Sequence, residues 1–147
     1  MSQTNLRVNV ERWLIHENYN FEEIKTTENN FKMVIKDSVS TPIEIFEPKK
    51  QPGMLVLGGK FALKNKQMSR FLQLNETEQT KFKNSVTEFC NSILARNRIT
   101  GEDGKLVIGV YLVLDKVETF TQQILMDAIL QVIEMSEKTM RFVMKTF

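Results

Sequence analysis

Residues 29–62 read NNFKMVIKDSVSTPIEIFEPKKQPGMLVLGGKFA, and their pattern decides the fold class. Phe31, Met33 and Ile35 alternate with Lys32, Val34 and Lys36, the period of a half-buried strand. A second alternation sets Ile43 and Ile45 on one side and Glu44 and Phe46 on the other. The Pro52-Gly53 pair after Lys49-Lys50-Gln51 predicts a turn. A further strand follows, interrupted by Gly58-Gly59, which reads as a bulge. FEEIKTT, from Phe21, offers one more short strand. Strands joined by short connections form an antiparallel meander.

Outside this stretch the period changes to that of helices. Leu6, Val10, Trp13 and Leu14 share one helical face, with Thr4 or Asn5 as the cap. NKQMSRFLQL suggests a short helix packed by Met68, Phe71 and Leu72. Asn75 and Glu78 form a capping-box pattern before a longer helix, whose stripe is Phe82, Val86, Phe89, Ile93 and Leu94. After the turn signal Gly101-Glu102-Asp103-Gly104, the run Leu106–Leu114 lacks alternation and predicts a strand covered on both faces. Thr119 or Thr121 caps a final helix, with Leu125, Ile129, Val132, Met140 and Val143 along one face. The expected fold is a single α+β domain over residues 1–147, an antiparallel sheet with helices packed on it, in the order α-β-β-β-α-β-β-α.

Composition excludes several classes of function. The 147 residues carry a net charge of +2, too balanced to favour nucleic acid or an anionic membrane. Cys90 stands alone, so no internal disulfide is possible and a reducing, cytoplasmic setting is expected. The first residues, MSQTNLRVNVERW, lack the apolar core of a signal peptide. Leu106–Leu114 is far short of the ~20 residues that span a bilayer, so no membrane association is expected.

Candidate chemistry is sparse. The one histidine, His16, reads as a helix-end residue that favours the C-terminal dipole. Cys90 sits among Val86, Phe89 and Ile93 and reads as a core residue. One histidine and one cysteine cannot supply the four ligands of a structural zinc site. Gly58-Gly59-Lys60 lacks the spacing and the Ser or Thr of a phosphate-binding loop. The pairs Glu22-Glu23 and Glu102-Asp103 read as solvated loop charges. Lys49, Lys50, Lys60, Lys64, Lys66 and Arg70, interleaved with Phe61 and Phe71, form a basic cluster that reads as a solvated face. No catalytic residue, cofactor or metal is expected, and nucleic acid is disfavoured.

The last helix is apolar over more than one face. Met126, Leu130, Ile133 and Met144 widen its stripe, and Met126, Met135, Met140 and Met144 give it adaptable side chains. VERWLIHENYNFEEI, MLVLGGKFALKNKQMSRFLQLNETEQTKFKNSVTEF and GVYLVLDKVETFTQQILMDAILQVI, with the order of elements, resemble the type III secretion chaperone fold and its YbjN-like relatives. More closely, the chain resembles a small archaeal family of unknown function placed with that fold. The resemblance implies dimers and peptide binding by apolar grooves. The expectation is a non-enzymatic, homodimeric module that binds a protein or peptide through an apolar face or by strand addition at a sheet edge. Its interface residues would be Met126, Leu130, Ile133, Met140 and Met144. A small-molecule or catalytic site near His16, Tyr19 or Tyr111, and weak nucleic-acid binding through Lys49–Arg70, are the alternatives.

Overall fold

The computed structural model describes residues 2–36, 41–115 and 120–147, with side chains from residue 6 onward. Four helices and six strands follow in the order α1 (Ser2–His16), β1 (Phe21–Glu23), β2 (Asn29–Ile35), β3 (Ile43–Pro48), β4 (Leu55–Ala62), α2 (Asn65–Gln73), α3 (Glu76–Ser92), β5 (Arg96–Glu102), β6 (Lys105–Leu114) and α4 (Gln122–Thr146). The α+β class and the antiparallel sheet agree with the sequence reading, and the segment from Asn65 is a short helix packed by Phe71 and Met68, whereas Leu72, expected with them, is exposed.

All strands belong to one antiparallel sheet, ordered β1-β2-β3-β4-β6-β5. The first four form the expected meander. The β5–β6 hairpin returns with β6 against β4, which places the most apolar strand inside the sheet. Its two-residue loop is Asp103-Gly104, both at positive φ (53° and 75°), the geometry of the tight hairpin turn that matches strand twist.

The helices cover one face of this sheet. Leu6, Val10 and Leu14 of α1, Phe82, Val86 and Cys90 of α3, and Leu125, Ile129, Val132 and Val143 of α4 join Met33, Ile35, Ile43, Ile45, Leu57, Ile108 and Val110 in one core. Alternation along β2 and β3 follows from this: buried residues face the helices and half-buried ones face away. The same holds in β6. Leu106, Ile108 and Val110 are buried, whereas Val107, Tyr111 and Val113 on the opposite face are half-buried. The expectation of a strand covered on both faces is therefore corrected: the helices lie on one side only, and the apolar residues of the other side shield one another in part.

Gly58 and Gly59 are not a bulge either. Both pair in regular register with β3 and β6. Each instead permits a close approach on its own face. A β-carbon at Gly59 would lie 2.3 Å from Ser136 Oγ of α4, and one at Gly58 would lie 2.4 Å from the Tyr111 ring.

The helix ends are set by local chemistry. Asn75 accepts from the Glu78 amide, and the Glu78 carboxylate accepts from the Asn75 amide, completing the capping box. Thr121 caps α4 by accepting from the Ile124 amide, while Thr119 lies outside the described residues. Helix α1 begins at Ser2, so Thr4 and Asn5 lie within its first turn and are not its cap. It ends with Asn18 at φ 60°, the Tyr19 amide donating to the Leu14 carbonyl and the Asn18 amide to that of Ile15. Helix α3 ends the same way, but with Leu94 at φ 59°. Leu94 is 86% exposed and is not part of the buried stripe; Cys90 takes that place.

Candidate functional site

Two surfaces carry the candidate residues: the outer flank of α4 and the uncovered face of the sheet. On α4, positions 125, 129, 132, 136, 139 and 143 follow the helical repeat and are all buried. A second stripe runs beside them at 130, 133, 137, 140 and 144, spacings of three and four residues. Leu130 is 59% exposed and Met144 55% exposed, with Ile133 and Met140 half-buried between them. Met126, expected with this group, is instead part of the chain's own core, as is Met135. The opposite flank of α4 is occupied: Phe142 stacks on Phe89 of α3 with ring centroids 4.5 Å apart.

The uncovered sheet face has an aromatic and cationic lining. Register places Gly58 beside Tyr111, and Gly109 between Lys60 and Arg98. The Tyr111 ring occupies the space that side chains at Gly58 and Gly109 would fill. A β-carbon at Gly109 would lie 2.6 Å from the phenolic oxygen. The ring thus lies down on the sheet, with its hydroxyl end at the row that carries Lys60 and Arg98. Burial pushes the Tyr111 phenol above its ordinary range, against the opposing pull of the Lys60 charge, so the hydroxyl stays protonated and able to donate.

A trough of about 670 Å³ extends from this row across Phe46 and Glu44 to the segments around Asn29 and Lys49. Lys32, Lys49, Lys50, Lys60 and Arg98 line it against only two acids, Glu28 and Glu44. Lys32 pairs with Glu44 at 3.3 Å and sits 5.9 Å from the centre of the Phe46 ring. Lys60 reaches Glu102 only at 3.9 Å. Among the described residues, Arg98, Lys49 and Lys50 form no ion pair, so the trough keeps an uncompensated positive charge.

The basic cluster read from sequence is divided by the fold. Lys49, Lys50 and Lys60 line the trough, whereas Lys64, Lys66 and Arg70 belong to α2 and its cap. Phe71 is buried and Phe61 packs against the core, so neither is a surface aromatic. Lys32, Phe46 and Arg98 take part in their place. Two of them carried a signal in strand parity: Lys32 and Phe46 each fall on the outer side of an alternating run.

The remaining candidates have structural roles. His16 is exposed, and its Nδ1 lies 2.7 Å from Gln122 Nε2, which also donates to Glu17, so the group fastens α1 to α4. Cys90 is fully buried, 3.8 Å from Thr139 Oγ1, and burial pushes its thiol pKa up and away from reactivity. Tyr19 packs against the core. No three His, Cys, Asp or Glu side chains converge among the described residues. No helix among them is long and apolar enough to cross a membrane.

The chain belongs to the family of uncharacterized conserved proteins DUF2299, whose model matches residues 6–143. No curated protein matches it by sequence. An uncharacterized protein from Methanothermobacter thermautotrophicus has a similar crystal structure, with a TM-score of 0.79 at 16% identity, covering 100% of this chain and 99% of that one. YbjN, a proposed transcription regulator from E. coli, is similar with a TM-score of 0.53 at 11% identity, covering 91% of this chain and 84% of that one. The YbjN-like fold is thereby shown, as the resemblance implied.

Proposed function

We propose that this member of an uncharacterized family is a non-enzymatic protein-binding module that self-associates through the outer stripe of α4. The observation that supports this is the second stripe, apolar at four of its five positions. One helix face is enough to cover the sheet, yet α4 has another, at the three-four spacing by which helices mesh side by side. Exposed Leu130 and Met144 leave apolar surface in water at both ends of that stripe. Strand addition is less favoured. The two sheet edges are β1, only three residues long, and β5, which carries exposed Arg96, Arg98 and Glu102, and short or charged edges discourage pairing.

An antiparallel two-fold pairing of α4 with its copy is self-complementary. It sets the Leu130 end of one stripe against the Met144 end of the other. Light scattering over a concentration series tests this. A dimer is expected, converted to monomer by Leu130→Glu or Met144→Glu with an unchanged circular dichroism spectrum. A monomer at every concentration would overturn the reading.

A further inference from the structure

We infer that the uncovered sheet face is a binding site for a small anionic ligand bearing a planar ring, of the size and chemistry of a mononucleotide. Four observations converge on it. First, the trough of about 670 Å³ lies within the range of small-ligand pockets. Second, its charge is one-sided. Lys60 and Arg98 flank Gly109 from the two neighbouring strands, and Lys49 and Lys50 stand at the far end. The Tyr111 hydroxyl end covers Gly109, so a phosphate beside it, in the trough that Lys60, Arg98 and Tyr111 line together, meets an ammonium, a guanidinium fork and a phenol hydroxyl, three donors suited to its oxygens.

Third, glycine seats the aromatic ring. Side chains at Gly58 and Gly109 would collide with Tyr111, so the two glycines let its ring lie flat on the sheet. A flat aromatic ring beside a cationic row is a platform for stacking a planar group next to its phosphate. Fourth, the charge argues against a second copy of this chain as the occupant, because two such faces would repel. A long single strand is less suited than a small ligand. The acids Glu28 and Glu44 interrupt the cations, and the sheet ends one strand beyond Arg98's neighbour, at β5.

The test is titration of the full chain at low salt, followed by amide NMR, with inorganic phosphate, adenosine monophosphate and a twelve-residue single-stranded oligonucleotide. Adenosine monophosphate should bind at least about tenfold more tightly than phosphate, shifting the amides of Gly58, Gly109 and Tyr111. Arg98→Gln, an exposed substitution on an edge strand, should weaken it about tenfold while leaving the spectrum otherwise native. Tyr111→Leu should reduce it to the level of phosphate. Equal binding of phosphate and the nucleotide would overturn the planar ring. No shift with any of the three, or binding indifferent to Arg98→Gln, would overturn the site. Binding of the oligonucleotide alone, falling steeply with salt, would assign the face to nucleic acid and overturn the small ligand.

Discussion

At the scale of single residues, two positions stand out because they contradict local preference. Leu94 closes α3 in the left-handed region, where a β-carbon costs about 1–2 kcal/mol, and its side chain recovers little because it is exposed. Leu94→Gly should therefore raise the free energy of unfolding by about 1 kcal/mol, less the entropy that glycine adds to the unfolded chain. Urea denaturation would show it as a higher midpoint at constant slope. Ser136 is the second. It is fully buried, its hydroxyl has no hydrogen-bond partner among the described residues, and it abuts Gly59. Ser136→Ala should stabilise the fold by about 1 kcal/mol by removing a buried hydroxyl that lacks a partner. Gly59→Ala should destabilise it by about 1–3 kcal/mol through crowding. The two should couple: the double variant should be more stable than the sum of the single effects, because Ser136→Ala removes the oxygen 2.3 Å from the new β-carbon. Neither position was legible in the sequence. Leu94 continues an apolar helical period, and Ser136 breaks one, so a reading by hydrophobicity places each on the wrong side.

Among the elements, α4 shows what periodicity can and cannot supply. The stripe of Leu125, Ile129, Val132 and Val143 was legible, and so was the surplus of apolar positions beside it. Which residues of that surplus lie inside was not. Met126 and Leu130 are one turn apart and chemically alike, yet only Met126 is buried. Near its start, α4 is fastened to the end of α1 by Gln122. The same stripe contains Glu137, midway between Leu130 and Met144. In the antiparallel pairing proposed above, the two Glu137 side chains meet near the two-fold axis. A charge at such a position fixes register at a cost in affinity. Glu137→Leu should tighten the dimer by about tenfold or more, read from the concentration dependence of mass in analytical ultracentrifugation. An unchanged association constant would mean that the stripe does not pair in this register.

For the whole molecule, the decisive feature is asymmetry: one sheet face is covered by helices and the other is not. Strand order made this hard to read. Lys32, Phe46 and Lys60 share a face through the β2-β3-β4 meander, whereas Tyr111 and Arg98 join them only because the β5–β6 hairpin returns β6 to β4. The alternation of each strand was legible, but neighbours across the sheet depend on that return, which no local pattern encodes. The covered side includes α1, which an ion pair of Arg7 with Glu23 links to edge strand β1. The hydrogen bond from Arg7 lowers the Glu23 pKa below its ordinary value. A carboxylate with a depressed native pKa contributes stability above its unfolded pKa and loses it as pH falls through the native one. Both side chains are about one-third exposed, so the contribution is small, under about 1 kcal/mol at neutral pH. Glu23→Gln should lower stability by that amount at pH 7. The gap should begin to close as pH drops below the ordinary Glu value of about 4.3 and should vanish once the native carboxylate is protonated. Urea denaturation of the two proteins between pH 7 and pH 3 measures the gap directly. A gap that persists in acid would mean that Glu23 holds α1 by packing and not by charge.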